Sequence, residues 1–484
     1  MKFRLGGLAK RMLMAVIYST FGAIVVLLIV FILHLNSRAD LDIWHTADLD
    51  EEFTRDSGVD SFGEYLALEQ RLFEQLDELV YEKIPLDERK AVNRYHRDSL
   101  SDPERRDRNW NRSFELESSS STGAVLLLHG MSDSPYSLRK LGQRLNVAGF
   151  HVLGVRMPGH GTAPSGLVEL TWQDMAAVTS LAMRHLAGKN PGQPLYIVGY
   201  STGAALAVHY ALAAQEDESL PKIERIVLLS PAIGVSPVAA FAVWQARLGH
   251  LLGLDKLAWN DLLPEYDPFK YGSFAVNAGD VVYRLTNQIQ EQITPLENAG
   301  KLDDFPQILA FSSIVDATVS TPALVSGLFE RLPQNGHELV LFDVNREEEI
   351  EPLMKRNPDE IIREIKQDAD RNFILSIVTN EAPNSRAVTV VSSDPQRELP
   401  AGSMPGMTWP NDIYSLSHVA LPFAYDDPLY GADESVSSPG IRLGNLAMRG
   451  ERGVLQVSAA EMLRLRWNPF YPYVEQRLLD FLGH

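Results

Sequence analysis

Cysteine is missing from all 484 positions. That excludes disulfides, a catalytic thiol and any thiolate metal site, while leaving the compartment open. Positive charge is also scarce: 44 Lys and Arg stand against 63 Asp and Glu, a formal net charge of −19. A nucleic-acid partner is therefore disfavoured, because neutralising phosphates needs a basic face. His96-Arg97-Asp98-Ser99-Leu100 superficially matches a kinase catalytic loop, but neither a glycine-rich phosphate loop nor an Asp-Phe-Gly accompanies it, so phosphoryl transfer is set aside. What remains is 45% hydrophobic, enough for a large core: one big domain with additions.

Charge is absent from one long stretch as well. Met12 to Ser37 carries none and includes the run Ala-Ile-Val-Val-Leu-Leu-Ile-Val-Phe-Ile-Leu at 23–33. As a helix it would reach ~39 Å, sufficient for a hydrocarbon core of ~30 Å with some tilt. Lys2, Arg4, Lys10 and Arg11 precede it, whereas Arg38 is followed by Asp40 and Asp42. This asymmetry predicts a cytoplasmic N-terminus and an exported remainder, which for a bacterial chain means an inner-membrane protein facing the periplasm. A cleaved signal peptide is the rival; its apolar core would be shorter and end in an A-x-A-like site, which this one lacks. An uncleaved single-pass anchor over 1–38 is the expectation.

Residues 39–122 are acidic, then basic. Phe62, Tyr65, Leu66, Leu72, Phe73, Leu76, Leu79 and Val80 recur at helical spacing, predicting an amphipathic helix in a spacer or packing region. Asn111-Arg112-Ser113 forms a glycosylation sequon, relevant only in a eukaryotic secretory pathway. From Gly123 the pattern alternates. Strand-like runs at 124–128, 151–155, 195–198, 226–229, 307–311, 338–342, 373–378 and 387–391 are separated by helical or loop segments, with a closing helix at 471–482. Alternation of this kind predicts an α/β domain over 123–484, a mostly parallel sheet flanked by helices. Residues 232–304 interrupt it as a helical, aromatic stretch (Phe241, Trp244, Trp259, Tyr266, Phe269, Tyr271) without a clear strand, placed to cap the strands' C-terminal ends. Residues 345–371 are densely charged and read as a solvated surface insertion.

The chemistry centres on 194–212. Leu195 to Val198 is a short apolar run, Gly199-Tyr200-Ser201-Thr202-Gly203 reads G-x-S-x-G, and an alanine-rich helix former follows. A strand, sharp turn and helix lift the central hydroxyl above the sheet, and the flanking glycines admit the close backbone approach. The helix N-terminus aims free N–H groups and the positive dipole end at the same point. A neutral hydroxyl needs a base, usually His held by a carboxylate, and in such a sheet the order is Ser, acid, His. Only His418 and the terminal His484 follow the last strands, so His418, in Tyr414-Ser-Leu-Ser-His-Val-Ala-Leu-Pro-Phe423, is the candidate base. Asp316 follows the 307–311 strand and is the candidate acid, with Asp343 and Asp412 as alternatives. The N–H groups of Met131 and Thr202 are placed to hold an oxyanion; His129 and His160 read as structural residues of their own turns.

These residues carry a resemblance. His129-Gly130-Met131, Pro158-Gly-His-Gly161, Gly199-Tyr-Ser-Thr-Gly203, Asp316-Ala-Thr-Val319 and Ser417-His418 resemble the α/β-hydrolase superfamily, in particular its monoacylglycerol lipase and serine aminopeptidase-like group. The resemblance covers about 120–335 and the His418 loop. It implies an eight-stranded, mostly parallel sheet, a helical cap from 232–304, neither metal nor other cofactor, and hydrolysis through an acyl-enzyme. The anchor, the 39–122 region and the long stretch between Asp316 and His418 depart from the usual pattern. The expected function is a membrane-anchored serine esterase or lipase acting on a small acyl ester, with monoacylglycerols or lysolipids suggested by location and aromatic cap. An aminopeptidase using Asp255, Asp261, Glu265 or Asp267 to hold a substrate amine is the alternative, as is a non-catalytic tethered interaction protein on the same fold.

Overall fold

The computed structural model describes residues 2–234, 254–368, 371–395, 406–446, 451 and 454–483. The strand-like runs of the sequence become strands, preceded by one short strand. They are β1 (Phe114–Leu116), β2 (Ala124–Leu128), β3 (His151–Val155), β4 (Leu195–Tyr200), β5 (Arg225–Leu229), β6 (Gln307–Ser313), β7 (Glu338–Phe342), β8 (Ile374–Asn380) and β9 (Val388–Ser393). All nine join one sheet, in the order β1-β3-β2-β4-β5-β6-β7-β8-β9. The seven central strands are parallel, and only the edge pairs β1/β3 and β8/β9 are antiparallel. The resemblance implied eight strands; the ninth, β1, is three residues long and too short for a periodic signal. It is seated by a ring-on-glycine contact, since a Cβ at Gly154 would lie 2.2 Å from the Phe114 ring.

Residues on opposite faces of each strand feed separate apolar layers. On one face Leu126, Leu128 and Ile197 pack with α4 (Trp172–Lys189), α5 (Thr202–Glu216) and α6 (Val276–Asn298). On the other, Val125, Leu127 and Val198 pack with α3 (Arg139–Val147) and α8 (Tyr471–Leu482). Thr171 caps α4 by accepting the Asp174 N–H at 3.2 Å.

Of the stretch expected as a cap, residues 235–253, with Phe241 and Trp244, lie outside the described residues. The described remainder holds a two-stranded ribbon, Trp259–Asp261 against Phe274–Ala275, where no strand was expected. Helix α6 belongs to the layer flanking the sheet: Val281, Leu285, Ile289 and Ile293 are buried in the same core as α5. The charged stretch 345–371 also differs from the expected excursion. Its helix α7 (Pro358–Gln367) buries Ile361 and Ile365 and forms the crossover that parallel β7 and β8 require.

The region 39–122 packs into the α/β domain. Helix α2 (Phe62–Leu76) opens on a capping box: Ser61 Oγ accepts the Glu64 N–H, and the Glu64 carboxylate accepts the Ser61 N–H, both at 3.2 Å. Its Phe62, Tyr65 and Leu68 enter the core beneath β2 and β3. Arg156, fully buried at the end of β3, donates to Glu52 at 2.9 and 3.0 Å and to Glu69 at 3.3 Å. Asn111 is 1% exposed and donates to the Pro268 carbonyl at 2.9 Å, so the sequon cannot carry a glycan in the folded chain. Ahead of this region, α1 (Lys2–Ser37) is one 36-residue helix. Its window Lys10–Leu27 has mean hydropathy 1.5 and no buried share, so it is long and apolar enough to cross a membrane.

Candidate active site

The tight turn between β4 and α5 holds Ser201 at φ +54° and ψ −114°, a conformation few non-glycine residues adopt. Hydrogen bonds fix it. The Ser201 N–H donates to Leu229 O at 2.9 Å, and its carbonyl accepts from Ala204 and Ala232 at 3.0 and 3.1 Å. Both glycines are sterically required: a Cβ at Gly203 would sit 2.1 Å from Leu128 O, and one at Gly199 would sit 2.5 Å from Ala204 Cα.

His418 begins a short turn, His418–Ala420, whose preceding residue Ser417 donates its hydroxyl to Leu465 O. The imidazole is 6% exposed and lies on the Tyr200 ring, 5.6 Å between centroids. Its Nε2 is 3.1 Å from Ser201 Oγ, and its Nδ1 is 2.8 Å from Asp316 Oδ2. Asp316 stands just past β6 with a fully buried side chain. Its other oxygen accepts N–H groups from Thr318 and Val319, at 2.8 and 3.0 Å, so the carboxylate is locked facing the ring. With Nδ1–H donating to Asp316, Nε2 is left as the acceptor for the serine hydroxyl.

Opposite the serine, the turn after β2 packs so closely that a Cβ at Gly130 would come 3.1 Å from Ser201 Cβ. Among the described residues, neither the Met131 nor the Thr202 N–H has a backbone acceptor. His129 shapes this turn: Nδ1–H donates to Gly130 O at 2.9 Å, and Nε2 accepts the Met157 N–H at 3.0 Å. Burial holds it neutral, well below the ordinary histidine range. His160 donates to Pro158 O at 2.8 Å within its own loop. No cluster of three or more His, Asp or Glu that could hold a metal occurs among the described residues.

Residues 119–294 match the family model described as serine aminopeptidase, S33. The chain has the α/β-hydrolase fold. A thermostable monoacylglycerol lipase from Bacillus sp. (strain H-257) is 31% identical over 116 residues, 24% of this α/β-hydrolase and 43% of the lipase. The chain thus spans less than half the length of that curated relative. Among solved structures, a monoacylglycerol lipase from Paleococcus ferrophilus is 22% identical, with 48% of this chain and 88% of that one covered and a TM-score of 0.37. A structure reported with two metagenome-derived lipolytic enzymes, LipS and LipT, is also 22% identical, covering 48% and 87% at a TM-score of 0.38.

The alternative acids of this α/β-hydrolase are engaged elsewhere or exposed. Asp343 accepts from Arg346 at 2.8 and 2.9 Å and from Thr379 at 2.7 Å, and Asp412 is an exposed turn residue with φ +61°. His484 lies outside the described residues. Of the acidic groups considered for a substrate amine, Glu265 accepts the Gly272 and Ser273 N–H groups, while Asp267 accepts the Tyr430 hydroxyl and the Phe269 N–H. Asp255 and Asp261 are exposed. Sequence reasoning missed the buried Asp133, whose carboxylate meets Lys270 Nζ at 3.1 Å beside the turn after β2. Burial pushes this carboxyl up and Lys270 opposes the shift. Asp133 lies two positions past Met131 and was open to notice; Lys270, 137 residues away, carried no signal.

Proposed function

We propose that this α/β-hydrolase is a membrane-anchored serine esterase of the lipase type, with Ser201 as nucleophile, His418 as base and Asp316 as the orienting acid. The observation that carries the reading is the continuous relay Ser201 Oγ–His418–Asp316, at 3.1 and 2.8 Å, on a serine held at positive φ. In the proposed reaction Ser201 Oγ attacks the ester carbonyl while Nε2 takes its proton. Asp316 keeps the tautomer and stabilises the imidazolium. The N–H groups of Met131 and Thr202 hold the tetrahedral oxyanion, each contributing about 3 kcal/mol. His418 then protonates the leaving alcohol and activates water to release the acid from the acyl-enzyme.

Location supports an acyl substrate of the monoacylglycerol or lysolipid kind, since α1 would hold the catalytic domain against lipid, with its N-terminus cytoplasmic. The lipolytic relatives fit that class. The aminopeptidase alternative draws less support, because Glu265 and Asp267 already spend their oxygens inside the fold.

A fluorophosphonate probe tests the reading. Covalent labelling of the full chain in membranes, lost in Ser201→Ala, is expected; equal labelling of both proteins removes the serine from the mechanism. A series of p-nitrophenyl esters from acetyl to long chain tests the substrate class, with equal rates throughout counting against a lipid acyl group. Resistance of the chain to alkaline carbonate extraction tests the anchor.

A further inference from the structure

Away from the relay, a cavity of about 720 Å³ opens where the chain leaves α1. Its floor is formed by Ala39, Asp40, Asp42 and Trp44, the first of them two residues past the end of the helix. Its walls come from the 262–266 loop and from segments around 441–446 and 455–462. None of the residues around the cavity belongs to the β4–α5 turn, the β2 turn, the Asp316 loop or the His418 loop. The volume lies within the ~300–1,000 Å³ of small-molecule sites.

The walls are mainly apolar, with Leu262, Leu263, Ile441, Leu446, Val457 and Met462 facing the space. The polar groups sort by sign and by what already satisfies them. Asp40 is paired with Lys256 Nζ at 2.7 Å, and Glu88 with Lys90 Nζ at 2.9 Å. Glu265 accepts two backbone N–H groups, at 2.8 and 2.9 Å. Asp42 is left. Among the described residues no lysine or arginine nitrogen lies within 4 Å of its carboxylate. The nearest ring nitrogen, His45 Nδ1 at 3.8 Å, accepts the Asp42 amide N–H and so carries no proton. Burial keeps His45 neutral, down to about 4, and pushes the Asp42 carboxyl up to about 6, with Glu88 adding to the rise and Lys90, beyond contact distance, opposing it. Two aromatic residues, Trp44 and Tyr266, also line the cavity. A carboxylate in contact with no lysine or arginine, in an apolar cavity that also has aromatic lining, is chemistry that recognises an ammonium group.

We propose that this cavity binds a single-chain amphiphile with an ammonium head, the head at Asp42, Trp44 and Tyr266 and the alkyl chain along Leu262, Leu263 and Val457. It would be a lipid site separate from the catalytic serine. That its ligand comes from the bilayer rests on the anchored reading above; the cavity chemistry does not.

The test uses the full chain with Ser201→Ala, in nanodiscs, so that turnover plays no part. The probes are a dodecyl trimethylammonium bearing a diazirine in its chain and the dodecyl sulfate of the same design, with cross-links mapped by peptide mass spectrometry. The ammonium probe is expected to label peptides within 262–266, 441–446 or 454–462, roughly fivefold more than the sulfate, the effect of one partly desolvated ion pair. Asp42→Asn should erase that preference, and Leu263→Trp should block labelling by both probes with an unchanged melting temperature. Equal labelling by both heads, or cross-links confined to 129–133 and 199–204, would overturn the proposal. Labelling of the expected peptides in a chain that alkaline carbonate strips from membranes would support the cavity and overturn only its bilayer source.

Discussion

Asp316→Asn isolates the least visible member of the proposed relay. Asp316 Oδ1 accepts two backbone N–H groups and Oδ2 faces His418 Nδ1 at 2.8 Å. An asparagine keeps its carbonyl on the two N–H donors, because the reverse flip would set donor against donor twice. Its NH₂ then points at Nδ1, which must become the acceptor, so the ring proton moves to Nε2. In that tautomer Nε2–H faces Ser201 Oγ and can no longer take its proton. Loss of the base by tautomer exchange costs about 10⁴ in kcat, or about 5.4 kcal/mol of transition-state stabilisation. The fold should be nearly untouched, since the side chain keeps its shape and two of its three bonds. The assay is kcat on p-nitrophenyl butyrate in nanodiscs, with the melting temperature measured on the same samples. Asp343→Asn is the control: it weakens a carboxylate bonded to Arg346 and Thr379, so it should lower the melting temperature while leaving kcat per folded molecule within a few-fold. A decrease below tenfold in Asp316→Asn, or the larger kcat loss in Asp343→Asn, would refute the assignment of the acid.

Gly203→Ala should give no folded, probe-reactive enzyme, because its Cβ would fall 2.1 Å from the Leu128 carbonyl oxygen; soluble yield and fluorophosphonate labelling check this. Arg156→Met leaves Glu69 and Glu52 without their cation, which should lower stability by about 3–5 kcal/mol in urea unfolding. Adding Glu69→Gln to that variant should recover part of the loss. Three buried histidines, His45, His160 and His337, are each held down to about 4, so their folded values lie below the unfolded one near 6.5. Their stabilisation is therefore complete above pH 6.5 and is lost as pH falls toward 4, by about 2 kcal/mol per histidine at pH 5. Melting temperatures across that range should fall with acid, and His337→Gln should flatten the fall.

Eight of the nine strands were legible because each contains a run of apolar or β-branched residues, most of them buried on both faces, which needs no partner to be recognised. Strand β1 was not, since three residues seated on Gly154 acquire their meaning only from the strand beside them. Helix α6 shows the opposite difficulty. Its Val281, Leu285, Ile289 and Ile293 give a clear helical face, but periodicity cannot say whether that face meets α5 or a substrate. Charge misled at 345–371, where Arg346 is satisfied locally by Asp343, Glu351 and Asp359 and α7 still offers the core Ile361 and Ile365. For the candidate site, the G-x-S-x-G turn brought Ser201 forward and chain order then brought His418 and Asp316, whereas Lys270 meets Asp133 only through the folded 262–273 loop.

The region 39–122 carries the most instructive difference. Its amphipathic helix was readable, but what the helix serves depends on pairs far apart in sequence, and no local pattern announces them. Glu52 accepts the Gly159 N–H at 2.8 Å and, with Glu69, neutralises Arg156. Tyr65 donates to the Arg156 carbonyl at 2.7 Å. The residue next to Arg156 is Met157, whose N–H is the donor that orients His129, and His129 in turn holds Gly130 beside Ser201. A buried arginine at the end of β3 would be costly without those two carboxylates. The segment between α1 and the sheet is therefore a structural support of the turn proposed to hold the oxyanion, and at its other end Arg38 donates to the carbonyls of Lys256, Trp259 and Asn260. A linker would tolerate length changes and substitutions along its whole course; a segment fixed at Arg38, Glu52, Tyr65 and Glu69 would not.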